Sequence, residues 1–167
     1  MAVELGNEKI VKMLLDHLAN VNYENQLGIT PLIHSILHRH ERVVKLLLEN
    51  GANVNSRNVF NNTPLIYAIR SGNARIVKLL LENGADVNTK DSFWNTPLMQ
   101  AIETATKDHF DVVEELIHQN AIINAQGKNN RTALMIAAEN GFIRMVKLLL
   151  KKNAKVTVKD NYNKTAL

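Results

Sequence analysis

Apolar residues recur along this chain in two alternating patterns. In the stretch ARIVKLLLEN, Ile76, Val77, Leu80 and Leu81 stand at helical spacing on one face, with charged residues between them. That face predicts an amphipathic helix over about 74–83, ending at Gly84, the residue most tolerant of the left-handed conformation after a helix. Before it lies a shorter apolar run, LIYAIR, preceded by Thr63 and Pro64. The threonine hydroxyl can accept from a free amide of the first helical turn, and proline is preorganised at the next position. A short helix is therefore expected after Thr63, closing at Ser71-Gly72-Asn73.

The same two patterns return at fixed intervals. TPL or TAL occurs at Thr30, Thr63, Thr96, Thr132 and Thr165, at spacings of 33, 33, 36 and 33 residues. IVKMLLDHLANVN ends at Asn22, VVKLLLENGANVN at Asn55 and IVKLLLENGADVN at Asn88. The string decays to VVEELIHQNAIIN at Asn124 and MVKLLLKKNAKVT at Thr157. Repeats of this length cannot bury their apolar faces singly and gain stability by stacking. An all-α solenoid of helix pairs is expected. At the stop after each second helix stand Gly51, Gly84, Asn120 and Asn153, all permissive of positive φ, but also Leu18, which is not.

This pattern resembles the ankyrin repeat, whose TPLHxA appears as TPLIHS, TPLIYA, TPLMQA and TALMIA. The resemblance implies one ankyrin-repeat domain over 1–167: a partial repeat to 24, repeats 25–57, 58–90, 91–126 and 127–159, and a stub at 160–167. Within 91–126, three extra residues in ETATKDHFDVV are expected to lengthen the inter-helix loop or the ends of the helices. Both ends cut through a repeat, since Ala2-Val3 aligns with Ala68-Ile69, so an excerpt of a longer protein is expected. The family joins its units by β-hairpin or turn fingers, and it binds proteins along those fingers and the concave helix ends.

The finger turn stands two residues before each threonine, at Gly28, Asn61, Trp94, Asn130 and Asn163. Trp94 is the only tryptophan of the chain, placed where backbone geometry favours glycine or asparagine. One residue earlier runs the column Leu27, Phe60, Phe93, Asn129 and Tyr162. For Phe60 and Phe93, packing of finger on finger is the better-supported role. Trp94 breaks a local rule without local gain and is expected to meet a partner. The residues expected to bind a protein partner are Phe60, Arg70, Phe93, Trp94, Glu103, Thr104 and Arg131, within a wider exposed set that includes Lys128 and Asn95.

Composition narrows the chemistry. With no cysteine, disulfides, thiolate zinc sites and cysteine nucleophiles are excluded, and a reducing, cytoplasmic setting fits. No apolar run is long enough to span a membrane. His34, His38 and His40 have a spacing that can serve a metal, but His34 lies beside the family's structural histidine and no third ligand is fixed. GKNNRT at 127–132 lacks the spacing of a phosphate loop. Asp108, Asp111, Glu114 and Glu115 make an acidic cluster on an exposed helix face, without the cleft that acid–base catalysis requires. Neither catalysis nor a cofactor or metal is expected.

Residues 1–125 carry 11 basic and 14 acidic side chains, and residues 126–167 carry 9 and 2. The basic end is read as the solvated face of a helix, with nucleic acid unlikely as partner. A monomeric interaction module is the expected function; the alternative is a recognition segment of a larger enzyme, channel or secreted bacterial effector acting in a host cytosol. The 22 asparagines hint at an AT-rich genome. In the family, the asparagine at the position of Asn22, Asn55, Asn88 and Asn124 usually bonds backbone. It is also a site for an oxygen-sensing asparaginyl hydroxylase, with Leu14, Leu47, Leu80 and Leu116 eight residues earlier.

Overall fold

The computed structural model describes residues 2–105 and 109–167. Its contacts fall into two compact units, residues 1–86 and 87–167. Unit 1 holds α1 (Glu8–Asp16), α2 (Pro31–Leu37), α3 (Glu41–Glu49), α4 (Pro64–Arg70) and α5 (Ala74–Glu82). Helices α2 and α3 form one pair and α4 and α5 the next; α2 packs on α4, and α3 lies between α1 and α5. Unit 2 holds α6 (Pro97–Glu103), α7 (Phe110–His118), α8 (Ala133–Glu139) and α9 (Ile143–Lys151). There α6 pairs with α7 and α8 with α9, while α6 stacks on α8 and α7 on α9. No strand occurs among the described residues; the fingers are turns without a β-ladder.

The apolar periodicity becomes the core. In unit 1, Leu32, Ile33 and Ile36 of α2 and Leu65, Ile66 and Ile69 of α4 are sealed from water, with Ile76, Val77 and Leu80 of α5. In unit 2, Leu98 and Ile102 of α6, Val113 and Leu116 of α7 and Leu149 of α9 do the same. Short helices of this kind are marginal alone, so these buried faces hold them in place.

The second helices stop as their sequence predicts. Leu18, Gly51, Gly84, Asn120 and Asn153 all have positive φ. The following alanine amide reaches back to the helix in each case, as in Ala52 N–H to the Leu47 carbonyl at 2.9 Å and Ala121 N–H to that of Leu116 at 3.0 Å. These bonds satisfy carbonyls that the helix end leaves open. Leu18 holds φ 64° while its side chain is 93% exposed, so no packing offsets the left-handed strain. Leu18→Gly is expected to stabilise this end by about 0.5 kcal/mol, the strain relieved less the greater entropy lost by glycine. Slower hydrogen exchange at the Ala19 amide would show it; faster exchange there would contradict it.

One of the first helices starts without the expected cap bond. Thr30, Thr96 and Thr132 cap as expected, accepting from the amides of Ile33, Met99 and Met135 at 3.3, 3.4 and 3.3 Å. Thr63 occupies the same position with extended φ and ψ, but its hydroxyl is buried and meets no partner. Pro64 and the buried face of α4 hold that helix start without it. A second departure is Arg39, left-handed at φ 58° where Gly6 and Gly72 stand in the neighbouring repeats. Its guanidinium donates to the Ser71 carbonyl, a contact that a glycine cannot make.

Within each unit, asparagines tie one repeat to the next. Asn55 Nδ2 donates to the Gly84 carbonyl at 3.0 Å and its Oδ1 accepts from Asp86 N–H at 2.8 Å. Asn22 bridges to Gly51 and Asn53 in the same way. In unit 2, Asn88 reaches Asn120 and Ile122, and Asn124 reaches Asn153 and Lys155. Both ends of each amide are engaged, so the side chain fixes the spacing between repeats. None of the helices in the described residues is long and apolar enough to cross a membrane.

Candidate functional site

The finger that presents Trp94 is built on Asp91. This carboxylate is 3% exposed; its Oδ1 accepts from Phe93 N–H at 2.8 Å and Asn95 N–H at 3.0 Å, and its Oδ2 accepts from Gln100 Nε2 at 2.8 Å. The turn closes with Trp94 N–H donating to the Asp91 carbonyl at 3.0 Å. Asn58 builds the corresponding finger of unit 1, accepting from Phe60 and Asn62 amides and donating from Nδ2 to the Tyr67 hydroxyl. Asn25 and Asp160 make the same two-amide turn. In these four fingers one side-chain oxygen thus does what a strand pairing would otherwise do.

Gly127 is the exception, since glycine has no such oxygen. A Cβ there would stand 2.5 Å from Asn95 Oδ1 and 2.6 Å from Met99 Sδ. Asn95 fills the space instead and accepts from Lys128 N–H at 3.1 Å. Asn95 is therefore 8% exposed, which removes it from the expected exposed set. The turn that follows has two left-handed asparagines, Asn129 at φ 56° and Asn130 at φ 59°.

Trp94 stands at φ 67° with 68% of its surface exposed. Every equivalent turn residue, Gly28, Asn61, Asn130 and Asn163, shares the positive φ. The strain expected from register alone is thus present in the backbone. Two lysines accompany the rings: Lys90 Nζ lies 5.4 Å from the Trp94 ring centre, and Lys128 Nζ 5.2 Å from that of Phe93. Lys90 Nζ also donates to the Gln126 carbonyl at 3.0 Å. Together with Asn129, Asn130 and Asn161 these residues line a groove of about 490 Å³ within unit 2. Lys128 belongs to the expected exposed set; Lys90 does not.

Phe60 and Phe93, expected to pack finger on finger, are instead 57% and 56% exposed. Each finger turn is held within itself by its own Asx oxygen and backbone. Phe60 rides at the finger tip of unit 1, and Arg70, also in unit 1, is exposed at the end of α4. In unit 2, Glu103 is exposed at the far end of α6 from the finger. Thr104 follows it and turns its hydroxyl back to the Gln100 carbonyl at 2.7 Å, closing α6. Arg131 pairs with Glu139 across one helix length of unit 2. Of the seven residues expected to bind a partner, only Phe93 and Trp94 line the groove.

The three histidines of the sequence motif lie in and just after α2. His34, His38 and His40 stack ring on ring, at 6.3 and 5.9 Å, rather than converging on a point. His38 Nδ1 is bonded to the His34 carbonyl and His40 Nε2 to that of Glu4. No group of three or more possible metal-binding side chains occurs among the described residues. Of the acidic cluster, Asp108 lies outside the described residues; Asp111 and Glu114 are exposed on α7, and Glu115 accepts from Gln119 Nε2.

A fold of stacked helix pairs, with polar fingers and bridging asparagines, defines an all-α repeat protein of the solenoid class. The family description "Ankyrin repeats (3 copies)" matches residues 1–91 and 98–167, and the chain belongs to the ankyrin-repeat family. A comparison with curated proteins gave no match.

Proposed function

We propose that this chain is a protein-binding module, monomeric and without catalysis of its own, that meets its partner through the finger carrying Phe93 and Trp94. Ankyrin repeats are in general protein–protein interaction modules. The observation that carries the finer reading is Trp94: the chain's only tryptophan, left-handed and two-thirds exposed. Such a residue costs the folded chain on the order of 1–2 kcal/mol of backbone strain, and large exposed aromatics supply much of the affinity at protein interfaces. Phe60 and Arg70 are exposed on unit 1 and Glu103 on unit 2. Thr104 and Arg131 are engaged within the chain and play no leading part. Hydroxylation at Asn22, Asn55, Asn88 or Asn124, which the family resemblance implies as possible, would be done to this chain and not by it. A modifying enzyme has to break two inter-repeat bonds to reach each amide.

A photo-crosslinking amino acid at position 93 is expected to capture one protein from the native extract, in competition with the unlabelled chain. The same group at Lys147, on the exposed face of α9, serves as control. Capture from position 147 and not from 93 would overturn this site.

A further inference from the structure

We propose that the groove beside Trp94 binds an acidic peptide segment that carries an apolar side chain between its carboxylates. This deepens the protein-binding reading above and rests on it. The groove is lined by Lys90, Phe93, Trp94, Gln126, Lys128 and neighbouring asparagines, and no carboxylate is among its lining residues. The charged side chains of its lining, Lys90 and Lys128, are both cations, so the field inside the groove attracts anions.

The arrangement of the cations says more than their number. Each ammonium is held over an aromatic ring, so each charge stands beside apolar surface, with Lys90 half-buried and Lys128 exposed. A ligand matching that pattern places carboxylates against Lys90 and Lys128 and an apolar group against the exposed ring edges. Burying those edges supplies affinity, and the ion pairs set register and speed the encounter. The Asn129 side-chain amide adds a donor and an acceptor suited to an extended peptide backbone.

Single-stranded nucleic acid fits less well. It needs open ring faces on which bases stack and a longer track of cations along its backbone. Here one face of each ring is already covered by an ammonium, and the groove contains two lysines.

Because Trp94 is the only tryptophan, its emission reports this groove alone. Random dodecapeptides displayed on phage would be panned against the full chain, and enriched peptides titrated while Trp94 emission is followed. The expected peptides are net negative with at least one large apolar residue, and they change the emission saturably. Affinity is expected to fall about tenfold with Lys128→Glu, or when the peptide's acids become amides, at an unchanged melting temperature. It should also weaken between about 50 mM and about 300 mM salt. Neutral or basic peptides, no enrichment, or equal binding to the Lys128→Glu chain would overturn the proposal. Displacement of the emission signal by oligothymidine, in place of any acidic peptide, would assign the groove to nucleic acid instead. If crosslinking at position 93 captures a partner while acidic peptides fail, the module stands and only this chemistry falls. If acidic peptides bind here but crosslinking at 93 captures nothing, the groove's chemistry holds and the native-partner reading fails.

Discussion

Asp91→Ala is expected to lower stability by about 2–4 kcal/mol and to release the finger that carries Trp94. The carboxylate is buried, and it satisfies the amides of Phe93 and Asn95 and the side chain of Gln100 at once. Alanine leaves all three donors facing a space without an acceptor, and an unmet buried donor costs more than a met one gains. Asp91→Asn is expected to lose less than about 1 kcal/mol, because one amide oxygen accepts both backbone bonds and Gln100 turns over to face the new Nδ2. Asn58 already works in this manner, with Tyr67 taking the place of Gln100. Chemical denaturation would rank the two variants, and the anisotropy of Trp94 would report whether its ring has become mobile. An alanine variant as stable as the parent would mean that the backbone alone holds the turn.

Much of the architecture is legible because repetition writes the same physical constraint several times over. The apolar face of α5 reappears in α3 and α9, so its helical spacing is read from several copies rather than one. The left-handed positions follow from register in the same way. Gly28 and Asn61 mark a turn that needs positive φ, and Trp94 inherits the requirement although its side chain argues against it. Leu18 inherits the helix stop of Gly51 and Gly84 by the same logic.

What escaped the sequence depends on single side chains and on distance in space. Thr63 has the type and place of a cap, yet its hydroxyl goes unused, a difference of local geometry that its neighbours in sequence do not encode. Asn95 is buried only because Gly127, a repeat later, has no side chain to serve its own finger. Arg131 and Glu139 stand at opposite ends of α8, and only their reach unites them. Lys90 and Lys128 belong to different repeats and become neighbours through the fingers. Sequence periodicity marks Trp94 as anomalous but does not mark the cations that give its groove a sign.

Trp94→Asn is expected to weaken partner binding by about 2 kcal/mol or more, close to thirtyfold, while leaving stability within about 1 kcal/mol of the parent or above it. Asparagine is the residue found at the same turn in Asn61, Asn130 and Asn163, all with positive φ. It relieves the left-handed strain of a bulky side chain and gives up only the exposed contact with Lys90, worth about 0.5–1 kcal/mol. Folding and binding therefore move in different directions, which a tryptophan kept for packing cannot do. The decisive measurement is calorimetric titration of the partner captured at position 93 into parent and Trp94→Asn chains, with a thermal melt of each. Affinity lost at an equal or higher melting temperature is the predicted result. Unchanged affinity, or a fall in affinity matched by a fall in melting temperature, would contradict a partner site at this finger.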